Sequence, residues 1–386
     1  MSALAGIKVL DLSRVLAGPW CGMTLADLGA DVIKIEPIEG DDTRSYGPPF
    51  RGDISAYFAS ANRGKRSIAM HLRHPQARPL LEALIREADV LIENFRTGAA
   101  ERLGLDPATT RALNPRLIHC AISGYGRSGP DAQRPGYDLA VQAESGLMAI
   151  TGPVDGPASK VGVATADLTT GLNATIAILA ALLQRERSGQ GQSIELSLFD
   201  SQVQALANVV CSVLFTGEDA RRCGNAHATI VPYQSFAARD GALVIACGSD
   251  ALWERLCVLI GRPEWRDDPR CATNPARVAH RDWLVPELER VFATDTVAAW
   301  VERCEAAGIP VGPVQGVRDA AFGALATARG LRIEDDGIPM IASPLRMSAS
   351  PTVPPRRPPH LGEHADAICA AHGFDAATLR AAGAIA

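Results

Sequence analysis

The sequence predicts an α/β protein with a large domain, built on a doubly wound parallel sheet, and a smaller α+β domain. Short apolar runs typical of buried strands alternate with helical patterns over the first 200 residues, which favours parallel strands joined by helices. Near Thr216 the pattern changes to a hairpin followed by three helical patterns. The 386 residues, 47% of them hydrophobic, are enough for two or three domains with a sizeable core.

The first 36 residues predict a strand, a helix and a second strand. The strand over 7–12 leads through a turn into a helix over 20–28, and the second strand covers 31–36. The turn lacks the Gly-x-Gly-x-x-Gly motif of dinucleotide-binding domains. The other elements predicted for this domain are a loop over 40–60, strands over 65–70, 88–95, 116–122 and 192–198, and helices over 77–87, 137–148, 168–183 and 200–214.

The second domain is predicted to begin with a hairpin within 235–248 that turns at Asp240-Gly241. Helices are expected over 250–261, 279–292 and 297–307, two short strands within 333–348, and a terminal helical segment over 365–382. These patterns place the large domain at 1–200, a linker helix at 201–224 and the small domain at 225–315. Residues 316–386 are expected to return and complete the large domain.

Composition limits the classes of function. The net charge of −5 and the lack of a basic run argue against nucleic-acid binding. Nine scattered cysteines without a Cys-x-x-Cys pair indicate reduced thiols in a cytoplasmic protein, with neither a disulfide framework nor a zinc site. No basic leader precedes an apolar run, and no apolar stretch is long enough to span a bilayer. We therefore expect no signal peptide and no membrane helix.

Asp167 is the strongest candidate for a reactive group. It follows six small or apolar residues and precedes a long apolar helical pattern, so it lies where the chain enters a helix. Backbone N–H groups and the helix dipole stabilise negative charge at that position. Two interpretations follow: a helix N-cap, or a carboxylate nucleophile that forms covalent acyl intermediates.

Other polar residues also have a structural and a functional interpretation. Ligands of doubly wound sheets bind beyond the carboxyl ends of the strands, where Asn94, Phe95 and the turn 123–126 lie. His227 lies in a loop, and its imidazole either hydrogen-bonds to neighbouring groups of the protein or contacts a substrate carboxylate. Eight basic residues in the first third are either solvated or bind a phosphate-rich ligand: Arg14, Lys34, Arg44, Lys65, Arg66, Arg73, Arg96 and Arg102.

The segment His360–His364 spells His-x-x-Glu-His, a zinc motif that works only on a helix. Two prolines precede the segment and Gly362 lies inside it. We therefore expect a turn that orders the last helix, and no metal.

Short motifs make the sequence resemble class III CoA-transferases of the formyl-CoA:oxalate CoA-transferase type. The motifs agree in order and spacing over residues 5–200, and one further motif matches near the end of the chain. They are Ala17-Gly-Pro19, residues 26–36, Gly40-Asp-Asp-Thr-Arg44, Lys65-Arg-Ser67, Glu93-Asn-Phe95, Asn114-Pro-Arg116, Gly124-Tyr125, Asp167-Leu-Thr-Thr-Gly171 and Leu361-Gly-Glu-His364.

The resemblance implies a ring-like chain that forms an interlocked homodimer, with Asp167 as the acyl-carrying carboxylate. It implies that CoA and acyl-CoA are substrates and that no prosthetic group is needed. Matching positions imply contacts to CoA at Leu16, Ala17, Met70, Arg73, Asn94, Phe95, Arg102, Tyr137 and Asp138.

Two departures from the oxalate enzyme concern its ligands. Pro37 replaces an arginine near the adenine end, and Ala226-His-Ala-Thr229 replaces a glycine run on the acceptor side. The segment 224–233 is more similar to relatives that use dicarboxylic acids such as succinate or glutarate. We therefore expect Gly224, Asn225 and His227 to contact the substrate, with 224–229 as a lid.

The expected reaction moves CoA from succinyl-CoA to a small dicarboxylate through an aspartyl anhydride and an aspartyl-CoA thioester. N–H groups near Asp167 and at Gly124–Gly126 are expected to stabilise the oxyanions. One alternative is an α-methylacyl-CoA racemase, but its Gly-His-Asp segment reads Gly136-Tyr137-Asp138 here and lacks the imidazole. The other is a non-catalytic CoA-binding protein.

Overall fold

The computed structural model describes residues 2–386, which divide into two compact units. The first unit contains 2–147, 161–218 and 324–386, and the second contains 148–160 and 219–323. The predicted small domain, 225–315, lies within the second unit. The second unit also takes in 148–160, for which the sequence carries no boundary signal.

Strands in the described residues are numbered in chain order. They are β1 (Lys8–Asp11), β2 (Asp31–Glu36), β3 (Phe50–Arg51), β4 (Ile54–Ser55), β5 (Arg66–Ala69), β6 (Val90–Glu93), β7 (Ile118–Ser123), β8 (Ser193–Ser197), β9 (Tyr233–Ala238), β10 (Gly241–Ala246), β11 (Val311–Pro313), β12 (Arg332–Asp335) and β13 (Ile338–Ile341).

The helices are numbered in the same way, and short 3₁₀ turns cover Asp42–Ser45 and Pro263–Arg266. They are α1 (Ala17–Asp27), α2 (Ala56–Asn62), α3 (Arg78–Glu87), α4 (Ala99–Arg102), α5 (Pro107–Leu113), α6 (Asp138–Glu144), α7 (Leu147–Ile150), α8 (Thr165–Ser188), α9 (Leu198–Ala205), α10 (Asn208–Thr216), α11 (Asp250–Leu259), α12 (Asn274–Ala279), α13 (Arg281–Phe292), α14 (Val297–Ala306), α15 (Val317–Phe322), α16 (Ala324–Ala328), α17 (Ala365–Ala371) and α18 (Ala376–Ala381).

The first unit is built on a six-stranded parallel sheet with the order β5-β2-β1-β6-β7-β8. The strand order reverses between β1 and β6, so the predicted doubly wound parallel sheet is confirmed. The connections after β1 and β6 lead to opposite faces of the sheet at this switch point, which leaves a crevice for a ligand.

Both faces of this sheet are covered by apolar packing. Successive side chains of a strand point to opposite faces, so Leu10 and Ile33 pack on one side while Val9 and Val32 pack on the other. The first side is closed by α3, α17 and α18, and the second by α1 and α8. The C-terminal segment therefore completes the core of the first unit.

Helix α8 packs closely on α1. A Cβ built on Gly171 would lie 2.6 Å from the Ala17 carbonyl oxygen, so only glycine allows this contact. By length and composition alone, α8 is apolar enough to cross a membrane, and the bent pair of α9 and α10 passes the same test. Core helices of water-soluble proteins also pass it, and 44% of the most apolar window of α8 is buried in the protein.

Three predicted elements are wrong. The helix expected over 137–148 is interrupted between α6 and α7, where Gly146 has a φ of 89°. The loop expected over 40–60 contains a 3₁₀ turn, the β3–β4 hairpin and α2. The single helix expected over 200–214 is broken between α9 and α10, where Ala207 has a φ of 49°. No glycine or proline marks this break, so the sequence pattern reads as continuous.

The second unit contains a three-stranded antiparallel sheet with the order β11-β10-β9. The predicted hairpin is present as β9 and β10, with its turn at Arg239-Asp240. Helices α11, α13 and α14 pack around this sheet, with Trp253, Phe292 and Trp300 in the core. This unit is α+β, as the sequence predicts.

Candidate active site

A cleft of about 180 Å³ lies at the carboxyl end of the parallel sheet of the first unit. Its walls are the loops after β1, β6 and β7, the segment 132–138, and Asp167 of α8. The loops after β1 and β6 meet at the point where the strand order reverses. The cleft therefore occupies the position at which doubly wound sheets bind their ligands.

Asp167 is the third residue of α8 and is half-buried. The N-cap of this helix is Ala164, so the N-cap interpretation of Asp167 is wrong. Burial, followed by the negative charge of Asp138, raises the pKa of Asp167 to about 7. A carboxylate with a raised pKa is more basic when ionised, which suits a nucleophile.

Asp138 caps the helix that carries Asp167. One carboxylate oxygen of Asp138 accepts a hydrogen bond from the Ala166 N–H at 2.8 Å, and the other accepts one from Gln142 Nε2 at 2.6 Å. Gln142 in turn accepts from the Val161 N–H at 2.9 Å. Helix α6 thus fixes the first turn of α8, and Asp138 both positions Asp167 and opposes its ionisation.

A close backbone crossing brings Asp138 to this place. A Cβ on Gly124 would lie 2.4 Å from the Gly136 Cα, and a Cβ on Gly136 would lie 2.2 Å from the Gly124 Cα. Any side chain at either position would separate the two segments. The crossing therefore holds Gly136-Tyr137-Asp138 against the end of β7.

The loop after β1 forms another wall and is strained. Val15 has a φ of 69°, which is an outlier for a β-branched residue. Asn94 holds this loop by accepting from the Arg14 N–H at 2.9 Å and donating to the Arg14 carbonyl oxygen at 2.8 Å. The Val15 N–H donates to Asp41 at 3.3 Å. The surrounding bonds therefore stabilise a conformation that the loop alone disfavours.

Buried ion pairs support the same loop from below. Lys34 pairs with Asp41 at 2.9 Å and Lys65 pairs with Asp11 at 2.7 Å, and all four side chains are fully buried. Lys34 also donates to the Ser13 carbonyl oxygen at 3.0 Å. Burial is the largest single effect on the pKa of Asp11 and raises it, but the cations Lys65 and Lys34 together lower that pKa below its usual value.

The cleft brings together six of the residues for which the resemblance implies catalysis or a contact to CoA. They are Ala17, Asn94, Phe95, Tyr137, Asp138 and Asp167. Leu16 is buried at the start of α1, and Met70 is fully buried in the core beside Ile385. Arg73 and Arg102 are exposed and do not line the cleft. The role of all these residues in binding CoA stays a prediction.

The eight basic residues separate into three groups. Lys34, Arg44, Lys65 and Arg66 pair with carboxylates of the same unit. Lys34 and Lys65 are fully buried, so the expectation of a solvated side chain is wrong for these two residues. Arg14 borders the cleft 3.5 Å from Asp42. Within residues 2–386, the exposed side chains of Arg73, Arg96 and Arg102 form no ion pair, so their charge is available to a ligand.

Tyr57, which interacts with Asp167, and its neighbour Tyr46 have no signal in the sequence. Burial and then the charge of Asp167 raise the pKa of Tyr57 to about 12. The phenol therefore stays protonated while it interacts electrostatically with the Asp167 carboxylate. Its ring packs edge-on against Tyr46, with 5.4 Å between the centroids. Both tyrosines come from the segment that was predicted as a loop, where neither periodicity nor a motif marks them.

One N–H group that was expected to stabilise an oxyanion already donates a hydrogen bond within the protein. The Gly126 N–H donates to Ser123 Oγ at 3.0 Å. Gly126 therefore does not offer its N–H to a ligand in this conformation, and the expectation that the whole turn 124–126 provides donors is wrong at this residue.

The predicted acceptor residues lie in the second unit. His227 accepts from the Thr229 N–H through Nδ1 at 3.1 Å, so its neutral ring carries the proton on Nε2. Asn225 is exposed and donates to Ser235 Oγ at 3.0 Å, and Gly224 is exposed with a φ of 58°. Contact of these residues with substrate stays a prediction.

Side chains of α12 and α13 hold the segment that was expected to act as a lid. Arg281 donates to the Ala228 carbonyl oxygen at 2.7 Å, and Asn274 donates to that of Thr229 at 2.9 Å. A lid movement of 224–229 would have to break these bonds.

The segment His360–His364 forms the turn before α17. His360 Nδ1 lies 2.9 Å from Asp53, and His364 Nδ1 accepts from the Ser67 N–H at 3.3 Å. Within residues 2–386 no group of three or more His, Cys, Asp and Glu side chains is arranged to hold a metal ion.

Comparison with known proteins places the chain in CoA-transferase family III, which matches residues 4–365. The chain belongs to this family, and the resemblance seen in its motifs is confirmed. A succinate–glutarate CoA-transferase from Agrobacterium fabrum is 44% identical over 94% of this chain and 93% of its own length. An acetyl-CoA:oxalate CoA-transferase from Acetobacter aceti is 42% identical over 89% of this chain and 88% of its own.

A solved structure has the same fold. The crystal structure of a CaiB/BaiF family protein from Brucella suis superposes with a TM-score of 0.87 at 44% identity, covering 96% of this chain and 99% of that one. The protein is therefore an enzyme of the CoA-transferase class, for which CoA thioesters are substrates.

Proposed function

We propose that this enzyme transfers CoA from succinyl-CoA to a small dicarboxylate through covalent intermediates on Asp167. The observation that carries the proposal is the position of Asp167. It is a half-buried carboxylate with a pKa raised to about 7, in a cleft at the carboxyl end of the sheet. Such a group ionises near neutral pH and is partly shielded from water.

The proposed reaction has four exchanges at carbonyl carbons. The Asp167 carboxylate attacks the thioester carbonyl, the C–S bond breaks, and the CoA thiolate leaves with its electron pair. The thiolate attacks the aspartyl carbonyl of the resulting anhydride, which releases succinate and gives an aspartyl-CoA thioester. The acceptor carboxylate then displaces the thiolate, forming a second anhydride. The thiolate finally attacks the acceptor's acyl carbon, so the new acyl-CoA forms and Asp167 is freed.

The proposal assigns CoA to the cleft and to the unpaired cations of the first unit. Ala17, Asn94, Phe95 and Tyr137 would contact the pantetheine end, because they line the cleft with Asp167. Arg73, Arg96 and Arg102 would contact phosphates, since a charge-assisted bond gains most where the cation has no other partner.

The choice of a dicarboxylate rests on the relatives and on the second unit. The relatives from Agrobacterium and Acetobacter are named for glutarate and oxalate, which are both dicarboxylates. We assign the acceptor carboxylate to the Nε2–H of His227, with Gly224 and Asn225 beside it.

We further propose a cytoplasmic, interlocked homodimer that works without a prosthetic group, a nucleic acid or a membrane. The proposal is supported by the scattered free cysteines and by apolar side chains left exposed on α8 and α10.

The test is to trap the acyl-enzyme. The protein is incubated with succinyl-CoA and hydroxylamine, and its peptides are mapped by mass spectrometry. We expect a hydroxamate at Asp167, because anhydrides and thioesters react with hydroxylamine and ordinary carboxylates do not. Asp167→Ala should lose transfer by a factor of at least about 10³, since it removes the group that carries the acyl chain.

Asp200 offers a matched control. It is the third residue of α9, as Asp167 is of α8, but it lies outside the cleft. Asp200→Ala should remain active, and its peptide should stay unmodified in the wild type. Transfer by Asp167→Ala at a rate near that of the wild type would exclude the covalent route. An intact succinyl-CoA with an unmodified Asp167 would exclude this donor.

A further inference from the structure

A buried ion pair joins two of the turns that line the cleft. Glu93 is the last residue of β6 and its side chain is fully buried, whereas Arg127 follows the turn after β7 and its side chain is 16% exposed. One guanidinium nitrogen of Arg127 lies 2.7 Å from Glu93 Oε1 and 2.8 Å from Oε2. The pair therefore spans the carboxyl ends of two neighbouring strands.

The pair also holds backbone groups of the cleft. Glu93 Oε2 accepts from the Phe95 N–H at 2.7 Å, and Arg127 donates to the Phe95 carbonyl oxygen at 3.3 Å. The Arg127 N–H donates to Glu195 of β8 at 2.6 Å. Both polar backbone groups of Phe95 are thus tied to the Glu93–Arg127 pair, which is itself tied to a third strand.

Behind the pair lies a buried histidine. His119 Nε2 is 3.5 Å from Glu93 Oε1, and His119 Nδ1 is 3.1 Å from Thr110 Oγ1. Thr110, His119 and Glu93 are all fully buried. Burying such a carboxylate costs desolvation free energy, and the attraction of its partners only partly offsets that cost. A contribution to stability is therefore a weak explanation for the buried Glu93–Arg127 pair.

We propose that Glu93 and Arg127 are positioning residues for acyl-CoA binding. Neither is assigned to touch the substrate. The ion pair holds the Asn94–Phe95 turn against the 123–126 turn, so the cleft is formed before the ligand arrives. This inference rests on the proposed function, because that proposal assigns Asn94 and Phe95 to CoA.

The decisive variant is the double substitution Glu93→Gln with Arg127→Met. The amide oxygen of the introduced glutamine still accepts from the Phe95 N–H, but the link to the second turn is lost. Removing both charges leaves no unpaired buried ion, so the double variant should unfold near the wild-type temperature. The single variant Arg127→Met leaves the buried carboxylate of Glu93 without its cation and should be much less stable.

The readouts are the Kd for CoA by calorimetry and the steady-state constants for succinyl-CoA. For the double variant we expect Kd and KM to rise about tenfold while kcat changes less than about threefold, because a preformed site is lost and the nucleophile is not. A structural role alone would leave Kd unchanged once the protein is folded.

The same strand supplies the control. Asp89 precedes β6 at its other end and pairs with the buried Arg185 at 2.8 Å. The double variant Asp89→Asn with Arg185→Met removes a comparable pair from the edge opposite the cleft, and it should bind CoA as the wild type does.

A wild-type Kd in the Glu93→Gln/Arg127→Met variant would overturn the inference, as would equal weakening in both double variants. If the wild type binds CoA but does not use succinyl-CoA, the proposed substrate fails while the Kd comparison still decides the inference. A wild type that does not bind CoA would overturn both.

Discussion

Asp138 affects both the pKa and the position of Asp167. Burial raises the pKa of Asp167, and the negative charge of Asp138 raises it further. Asp138 also caps the first turn of α8 through the Ala166 N–H. The same residue therefore fixes the position of Asp167 and raises its basicity.

The pH dependence of acylation follows from this pair. In the proposed mechanism only ionised Asp167 attacks the thioester, and the pKa of Asp167 is raised to about 7. The rate of succinate release in a single turnover without acceptor should therefore rise as the pH increases through about 7 and level off above it. Asp138→Asn keeps an oxygen that accepts from the Ala166 N–H and removes the repulsion. Its midpoint should move to lower pH, by less than the whole shift, because burial remains.

The control for this titration is Asp200→Asn, which removes the same charge from outside the cleft and should leave the midpoint in place. A midpoint in Asp138→Asn equal to that of the wild type would show that the charge of Asp138 does not act on Asp167.

At the scale of secondary structure, most elements of the large domain could be predicted because their signals are local. Strand β2 has the predicted bounds, since Asp31–Glu36 contains three β-branched residues and lies between a glycine turn and a proline. The segment 40–60 was missed because its short elements depend on distant partners. Arg44, for example, bonds Glu36 and the Pro359 carbonyl oxygen, and no local pattern reports such contacts.

The site was predictable to a similar extent. The position of Asp167 at a helix start follows from local pattern, and the strand ends at Asn94 and Phe95 follow from topology. The capping role of Asp138 joins residues 28 positions apart. The Gly124–Gly136 contact joins two loops whose approach no periodicity encodes. Such pairings are set by tertiary packing, so a single sequence does not reveal them.

The glycine crossing gives a prediction at this scale. Gly136→Ala would place a methyl group 2.2 Å from the Gly124 Cα, so the segments must separate and Asp138 must leave the first turn of α8. We expect a loss of about 1–3 kcal/mol in the free energy of unfolding, as for other overpacked sites, together with a large loss of transfer activity. Thermal unfolding and the transfer assay measure the two effects.

Gly312→Ala is the matched control for the crossing, because a Cβ there meets nothing within 4 Å and the backbone φ is ordinary. It should keep both stability and activity. If Gly136→Ala instead had the unfolding temperature and the transfer rate of the wild type, the Gly124–Gly136 contact would not determine the position of Asp138.

At the scale of the whole molecule, the chain leaves the first unit at 218 and returns to it at 324. The segment 324–386 supplies α17 and α18, which cover one face of the parallel sheet. A truncation after the second unit would therefore expose the core of the first.

Exposed apolar side chains carry the last prediction, that the protein is a homodimer. No residue of α10 is buried, and Leu214 and Phe215 are 77% and 92% exposed. Apolar surface of this kind marks an interface.

Light scattering after gel filtration should give twice the chain mass of 40.7 kDa. Leu214→Glu with Phe215→Glu should shift the protein to monomer, because charges at an apolar interface lose their hydration. Val258→Glu, at a 60% exposed valine of the second unit, should stay dimeric. A wild-type mass of one chain would refute the dimer, and an unchanged mass in the double variant would show that α10 is not its interface.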